Sequence, residues 1–473
     1  MQRTRIGDNH ATLIVFVSPN SIGRIYQAMT ARFSFLVLAH CLLTVSVASA
    51  QPATGAPTLP LDRAVHDALE SNASLRAARA GAQAAGSGVE SARAMLFPRV
   101  SFTENWQRSN QPVFVFSTLL ASRQFAASNF AIDRLNHPES VGSFHSTIAV
   151  EQLLFDGGAR RANIETARER HTIADLATRE SAAALVMDVT RTYGQLLTMQ
   201  ARARVADSAV ASGREDLAHA TRRRDAGVAT EADVLALAVH VADLEQKVLQ
   251  ARGEAASLIA QMNRLTGGPI DRLFEPAEPQ PSTAFDDADL PALFVEAERQ
   301  RPEIQRSAAA QSVADHARRA ARSQLFPTIG AQAAVDTTGT RLQDRASSWL
   351  VGGELRWSLG TGERAQVKTA TASASQARAR ADDVRAQVQV DIVTARELLR
   401  SARARQAVGR AAVAQARESQ RIVRDRYEAG LLPVAEVLRA ATAVLDAEAQ
   451  RVAAVVDEMT SRAGLVHAVG RVP

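Results

Sequence analysis

The sequence is poor in several residue types at once. Its 473 residues include one cysteine, three tryptophans and three tyrosines, and aromatic residues make up only 4%. A lone cysteine, Cys41, excludes a disulfide framework within the chain. Lysine is nearly absent, with Lys247 and Lys368 the only examples, so the positive charge is carried by arginine. The net charge is only +5, and acids alternate with arginines along the same stretches. That pattern describes solvated, salt-bridged helix faces and speaks against a nucleic-acid surface. Beyond the N-terminal region no apolar run approaches the ~20 residues of a membrane-spanning helix. The chain also lacks a Ser/His/Asp or Cys/His arrangement, a phosphate loop and a paired-histidine metal motif. No enzyme activity and no cofactor are therefore expected. Asp156-Gly157-Gly158 reads as a strand-to-helix turn in which glycine supplies backbone freedom, not as a cation or phosphate loop.

What is present is alanine, which supplies much of the 46% hydrophobic fraction and favours long, closely packed helices. The N-terminal region carries an apolar run from Phe33 to Val47, preceded by Arg32 and followed by Ala48-Ser49-Ala50. This is the order of a secretory signal with cleavage after Ala50, and Met29 gives a better-proportioned start than Met1. Cleavage there would remove Cys41.

Two glycine turns organise the rest, at Ala226-Gly227-Val228 and Ala429-Gly430-Leu431. Each ends one long charged, alanine-rich run and precedes another. Glycine past a helix end is the common left-handed stop. Thr230 then reads as a capped restart three residues before Asp233, and Pro433 suits the first turn of a new helix. Each turn is thus the tip of a helical hairpin.

The order of elements around the two tips repeats. Leu61–Phe97 is helical in two pieces around Ser71-Asn72 and stops at Leu96-Phe97-Pro98. The period then changes to two: Val100, Phe102 and Trp106 share one phase, with Glu104 as a polar intruder. A second alternating stretch runs from Phe144 to Phe155, and a helix from about Arg160 to Arg224 follows. After the first tip, Val234, Leu237, Val241, Leu244, Val248, Ala251, Ala255, Leu258, Met262 and Leu265 form a coiled-coil seam. Leu325-Phe326-Pro327, the strands around Val335 and Trp349, a long helix to Gly430 and a last helix to Gly470 replay that order. The second seam is looser, with Glu448 and Arg462 in apolar phase. The resulting division is 1–50 extension and signal, 51–268 first repeat, 269–289 proline-rich linker and 290–473 second repeat. Between the first two strands, Gln111 to Pro138 reads as a long loop.

Helix lengths follow from ~1.5 Å per residue: about 100 Å for the long helix, about 50 Å and 35 Å for its two shorter neighbours. The strands, roughly 9 to 12 residues with one apolar face, suit a transmembrane β-barrel wall. Trp106, Trp349 and Trp357 lie in or at the ends of strands, where a bilayer interface favours aromatics. Four strands cannot close a barrel, and an open edge cannot face lipid, so identical subunits must share one. The competing reading is a periplasmic coiled-coil scaffold or adaptor without a barrel.

The paired Leu-Phe-Pro junctions, Leu154-Phe155-Asp156-Gly157-Gly158 entering a long helix, the Pro112-to-Pro138 loop and the two glycine tips together resemble the TolC-type outer-membrane efflux proteins. The resemblance spans nearly all of residues 60–470. It implies a mainly α fold with a transmembrane β element: a homotrimeric α-barrel in the periplasm, continuous with a shared twelve-stranded β-barrel in the outer membrane. It also implies a passive duct for efflux or type I secretion, partnered by a periplasmic adaptor, an inner-membrane transporter and outer-membrane lipid. By the same resemblance Asp233 and Glu436 line the periplasmic entrance, with Tyr427 in the closed-state network, and Gly227, Val228, Gly430 and Leu431 dock the adaptor. Leu432 and Arg439 depart from the family pattern, where relatives carry a polar or basic residue and an acid.

Overall fold

The computed structural model describes residues 57–278 and 289–471. The signal-like run, Cys41, Pro279 and Pro281 lie outside the described residues. The chain begins with β1 (Thr58–Leu59), α1 (Leu61–Ser71) and α2 (Ala73–Ala94), then β2 (Arg99–Ser109). Between β2 and β3 (Val141–Phe155) lie α3 (Pro112–Ala121), one turn of 3₁₀ helix and α4 (Ile132–Asn136). The first hairpin is α5 (Ala159–Asp225) and α6 (Glu231–Thr266). After β4 (Glu275–Pro276) come α7 (Leu290–Gln300), α8 (Pro302–Ser323), β5 (Thr328–Gly339) and β6 (Ala346–Arg356). The second hairpin is α9 (Thr361–Glu428) and α10 (Val434–Val469).

The long helices have 67 and 68 residues and their returns 36 each. At ~1.5 Å per residue α5 is about 100 Å long, while α6 and α2 laid along it give about 54 Å and 33 Å. Both α2 and α6 pack on α5, and α8 lies against α5 and α9 together. The α6 seam is buried as its three-and-four spacing requires, with Leu237, Leu244 and Met262 at its deepest points. In the second hairpin Glu448 is buried in the apolar phase. Arg417 and Arg451 pair with its two oxygens, so the looser seam encloses a neutralised charge and not a bare one.

The four tip and base ends of the hairpins share one device. Gly227, Gly267, Gly430 and Gly470 all have φ between 73° and 86°. The following residue donates its N–H to the carbonyl five residues earlier, as in Val228 to Arg223 and Leu431 to Arg426. That satisfies carbonyls the helix leaves orphaned. At the base the two repeats solve the same packing problem with different residues. Asn72 caps α2 through Oδ1, which accepts from Ser74 and Leu75 N–H, while its Nδ2 donates to Leu265 O at 2.9 Å. At the matching place before α8, buried Arg301 donates to Ala468 O at 2.8 Å and pairs with Glu303 and Asp391.

The linker is tied down by Tyr193 of α5. Its hydroxyl lies 2.8 Å from Leu59 O and 2.9 Å from Ala277 O, clasping the parallel β1–β4 pair. Burial pushes its phenol up to about 12, so it stays a donor at any physiological pH.

Candidate functional site

Two regions hold the functional geometry, at opposite ends of the long helices. The first is an antiparallel sheet in the order β2-β3-β5-β6, whose outer edges, β2 and β6, have no partner among the described residues. The register aligns side chains in rows. Val100, Val150, Ala333 and Val351 form one row; Phe102, Ile148, Val335 and Trp349 form the next. These residues share one face, and Val351 and Trp349 are 72% and 78% exposed. A contiguous apolar surface of this extent on a sheet marks a membrane or partner contact.

The opposite face is polar. Thr103, Thr147, Asp336 and Ser348 form one of its rows. Thr147 Oγ1 donates to Asp336 Oδ1 at 2.6 Å, and His145 Nδ1 lies 2.8 Å from Thr338 Oγ1. Glu104 is the exception on the apolar face, and it is not bare: Arg345 lies 3.1 Å away and Ser146 donates to it. Of the tryptophans, Trp106 sits beside Phe144 near the distal end, and Trp357 follows β6 at the helical end. Trp349 aligns with Phe102, four residues along from Trp106, inside the apolar rows.

At the other end the two hairpin tips pack on one another. Ala220, Val234, Leu237 and Val434 form a small core, with Tyr427 and Leu438 against it. Two cross-hairpin links fasten it. Arg424 pairs with Asp216 at 2.8 Å, and Arg223 donates to Tyr427 O at 3.2 Å while its guanidinium stands 5.4 Å from the Tyr427 ring centre. The Tyr427 hydroxyl is buried and has no hydrogen-bond partner among the described residues. Burial, and then the negative charge of Asp233, raise its pKa.

The two acids, Asp233 and Glu436, sit in different surroundings. Asp233 belongs to a capping box, accepting from Thr230 N–H at 3.1 Å and Thr230 Oγ1 at 2.8 Å. Glu436 pairs with Arg439 one turn along α10. Pro433 is the residue before that helix and offers no side-chain cap. The turns themselves present Val228 and Leu431 to solvent, 64% and 73% exposed.

A sheet with one exposed apolar face, set on paired helical hairpins about 100 Å long, narrows the comparison with known proteins. The family model described as outer membrane efflux protein matches residues 64–268 and 293–471, the two repeats. The chain belongs to the outer membrane efflux protein family. Its place is therefore the outer membrane, with the helical part extending into the periplasm. Solved structures share the fold: the outer-membrane channel OprN superposes with a TM-score of 0.72 at 21% identity, covering 87% of this chain and 89% of that one. VceC from Vibrio cholerae gives 0.71 at 18%, covering 87% and 96%, and CmeC from Campylobacter jejuni 0.72 at 15%, covering 87% and 85%. No curated protein matches by sequence.

Within this family fold, the sequence alone left three features unread. The Asp216–Arg424 and Arg223–Tyr427 links join residues some 200 positions apart, and no local pattern announces them. Arg345 reaches Glu104 across 241 residues. The Gln111–Pro138 segment is not an open loop: Pro112 occupies the first helical turn of α3, a signal that was available.

Proposed function

We propose that this chain is the exit duct of a tripartite efflux or type I secretion system, passing substrate from a periplasmic adaptor and inner-membrane pump to the exterior. The observation that carries it is the four-stranded sheet with an exposed apolar face and two unpaired edges. Unpaired backbone in hydrocarbon costs several kcal/mol per group, so β2 of one copy must meet β6 of the next. Three copies give twelve strands with the apolar rows toward lipid and the Asp336–His145 face toward the lumen. The long hairpins continue the barrel as a helical tunnel.

The tips form the periplasmic entrance. Asp233 and Glu436 contribute acids to its rim, and three copies of each would raise the local affinity for cations. Because Arg439 pairs with Glu436, Asp233 is the stronger contributor to selectivity. The closed state is held by the Asp216–Arg424 and Arg223–Tyr427 links and not by a hydrogen bond from the Tyr427 hydroxyl. In planar bilayers Arg424→Ala should raise open probability about ten-fold, the loss of ~1.4 kcal/mol of closed-state preference. An unchanged open probability would remove the link from the gate.

Val228 and Leu431, exposed beside Gly227 and Gly430, are the surface offered to the adaptor. Gly430→Arg should abolish export in cells while leaving the trimer intact on an unboiled gel. Export at the wild-type level would place docking elsewhere.

A further inference from the structure

Helix α3 crosses the distal end of the sheet. Pro112 follows closely on the end of β2, and at the other end Arg123 Nη2 donates to Ser347 O of β6 at 3.1 Å while Thr340 Oγ1 donates to Gln124 Oε1. Ten residues of helix span about 15 Å, the width of four strands at ~4.8 Å spacing. The face of the sheet it covers can be read from burial. Ser143 and Thr338 are 7% and 9% exposed although they belong to the polar face, in phase with His145 and Asp336. Packed against β3 and β5 at this end is α3, whose own Val115 and Thr118 are buried, as is Ser122 just past its end. The helix therefore lies on the polar, lumenal side of the sheet.

Its free side is apolar. Val113, Phe116 and Leu120 recur at steps of three and four, opposite the buried stripe; Val113 and Leu120 are 74% and 50% exposed, while Phe116 between them packs edge-on against Phe125. An apolar stripe facing an aqueous lumen has no lipid to cover it. Twelve strands at ~4.8 Å spacing and ~40° tilt close a barrel about 24 Å across between backbones. A helix with side chains is ~10 Å thick, so three of them on the inner wall meet near the axis.

We infer that the free face of α3 is covered by the α3 helices of the other two copies, forming an apolar constriction at the outer mouth of the duct. This rests on the trimeric reading above. Such a ring excludes water and ions until the helices part, giving the duct a second barrier far from the periplasmic tips. The stripe fits a second copy better than a lipid because it lies on the polar face of the sheet.

Measurements on two variants test it. In bilayers, Val113→Ser/Leu120→Ser should raise single-channel conductance about two-fold, as water enters the constriction. In a Cys41→Ser background, Leu120→Cys should oxidise to a linked pair of subunits plus one unlinked subunit, the product of three thiols around a threefold axis. Unboiled gels report the trimer independently. Trimers with unchanged conductance and no linked pair would overturn the constriction while leaving the duct standing. Monomers in the wild-type sample would overturn both.

Discussion

Arginine in place of Val335 should eliminate the protein from the outer membrane as an assembled trimer. Val335 lies in the apolar row with Phe102, Ile148 and Trp349, near the middle of the sheet and 50% exposed in the isolated chain. An arginine on the lipid face near the bilayer midplane costs ~2–4 kcal/mol, and threefold symmetry repeats the cost in every copy. The neighbouring residue supplies the control. Ala334 points to the polar face in the row with Ser101, Ala149 and Leu350. Ala334→Arg should leave trimers in the membrane and change only conductance. Equal assembly of the two variants, read by unboiled gels of outer-membrane fractions, would mean that the apolar rows do not face lipid.

The second large effect lies at the base of the hairpins. Gly470 has φ +86°, and a Cβ there would stand 2.8 Å from Arg301 N and 2.9 Å from Arg301 Cα. Gly267 has φ +73°, and its Cβ would stand 2.7 Å from Ser71 O. Each obstacle is backbone and cannot swing aside. Left-handed strain adds ~1–2 kcal/mol and overpacking ~1–3, so Gly470→Ala or Gly267→Ala should each destabilise the chain by about 2–5 kcal/mol. Gly227→Ala is the matched comparison. Its φ is nearly the same at +76°, but nothing lies within 4 Å of the Cβ, so only the strain remains, about 1–2 kcal/mol. Denaturant midpoints of the three variants check this ordering. A base variant no weaker than Gly227→Ala would show that the junction yields.

These two predictions draw on features that were unequally visible in the sequence. The hairpins were legible because their signals are local and repeated: the α6 seam keeps its spacing over about nine turns, and the glycine stops stand where the left-handed residues are found. The strands were legible from alternation, since each side chain needs only its neighbours two residues away to define a face. The sheet order was not, because joining β3 to β5 brings together segments separated by the whole first hairpin. Long-range ionic pairing was equally hidden. Glu104 and Glu448 both break an apolar phase, and only the fold shows that Arg345 in one case and Arg417 with Arg451 in the other neutralise them. At the base, Asn72 and Arg301 do one job with side chains of different chemistry, so likeness of sequence could not pair them.

At the tips the sequence named residues whose relations to one another it did not show. Asp233, Glu436 and Tyr427 all lie at the tips, but Asp233 is held in a capping box, Glu436 faces Arg439, and the Tyr427 hydroxyl has no partner among the described residues. The resemblance to relatives supplied the positions. The partners around those positions, including Arg223 and Arg424, which no tip motif contains, come from the fold of this chain.

Everything proposed for the duct depends on β2 of one copy pairing with β6 of another. The most direct test places one cysteine on each edge strand in the Cys41→Ser background, Thr103→Cys on β2 with successive polar-face positions of β6 from Ser348 to Gly352. Oxidation of at least one such pair in outer membranes should give a covalent ladder of two and three subunits that ends at three. Single cysteines on either strand should give no ladder. If every pair stays monomeric while the protein is folded in the membrane, the edges do not meet between copies, and the shared barrel is wrong.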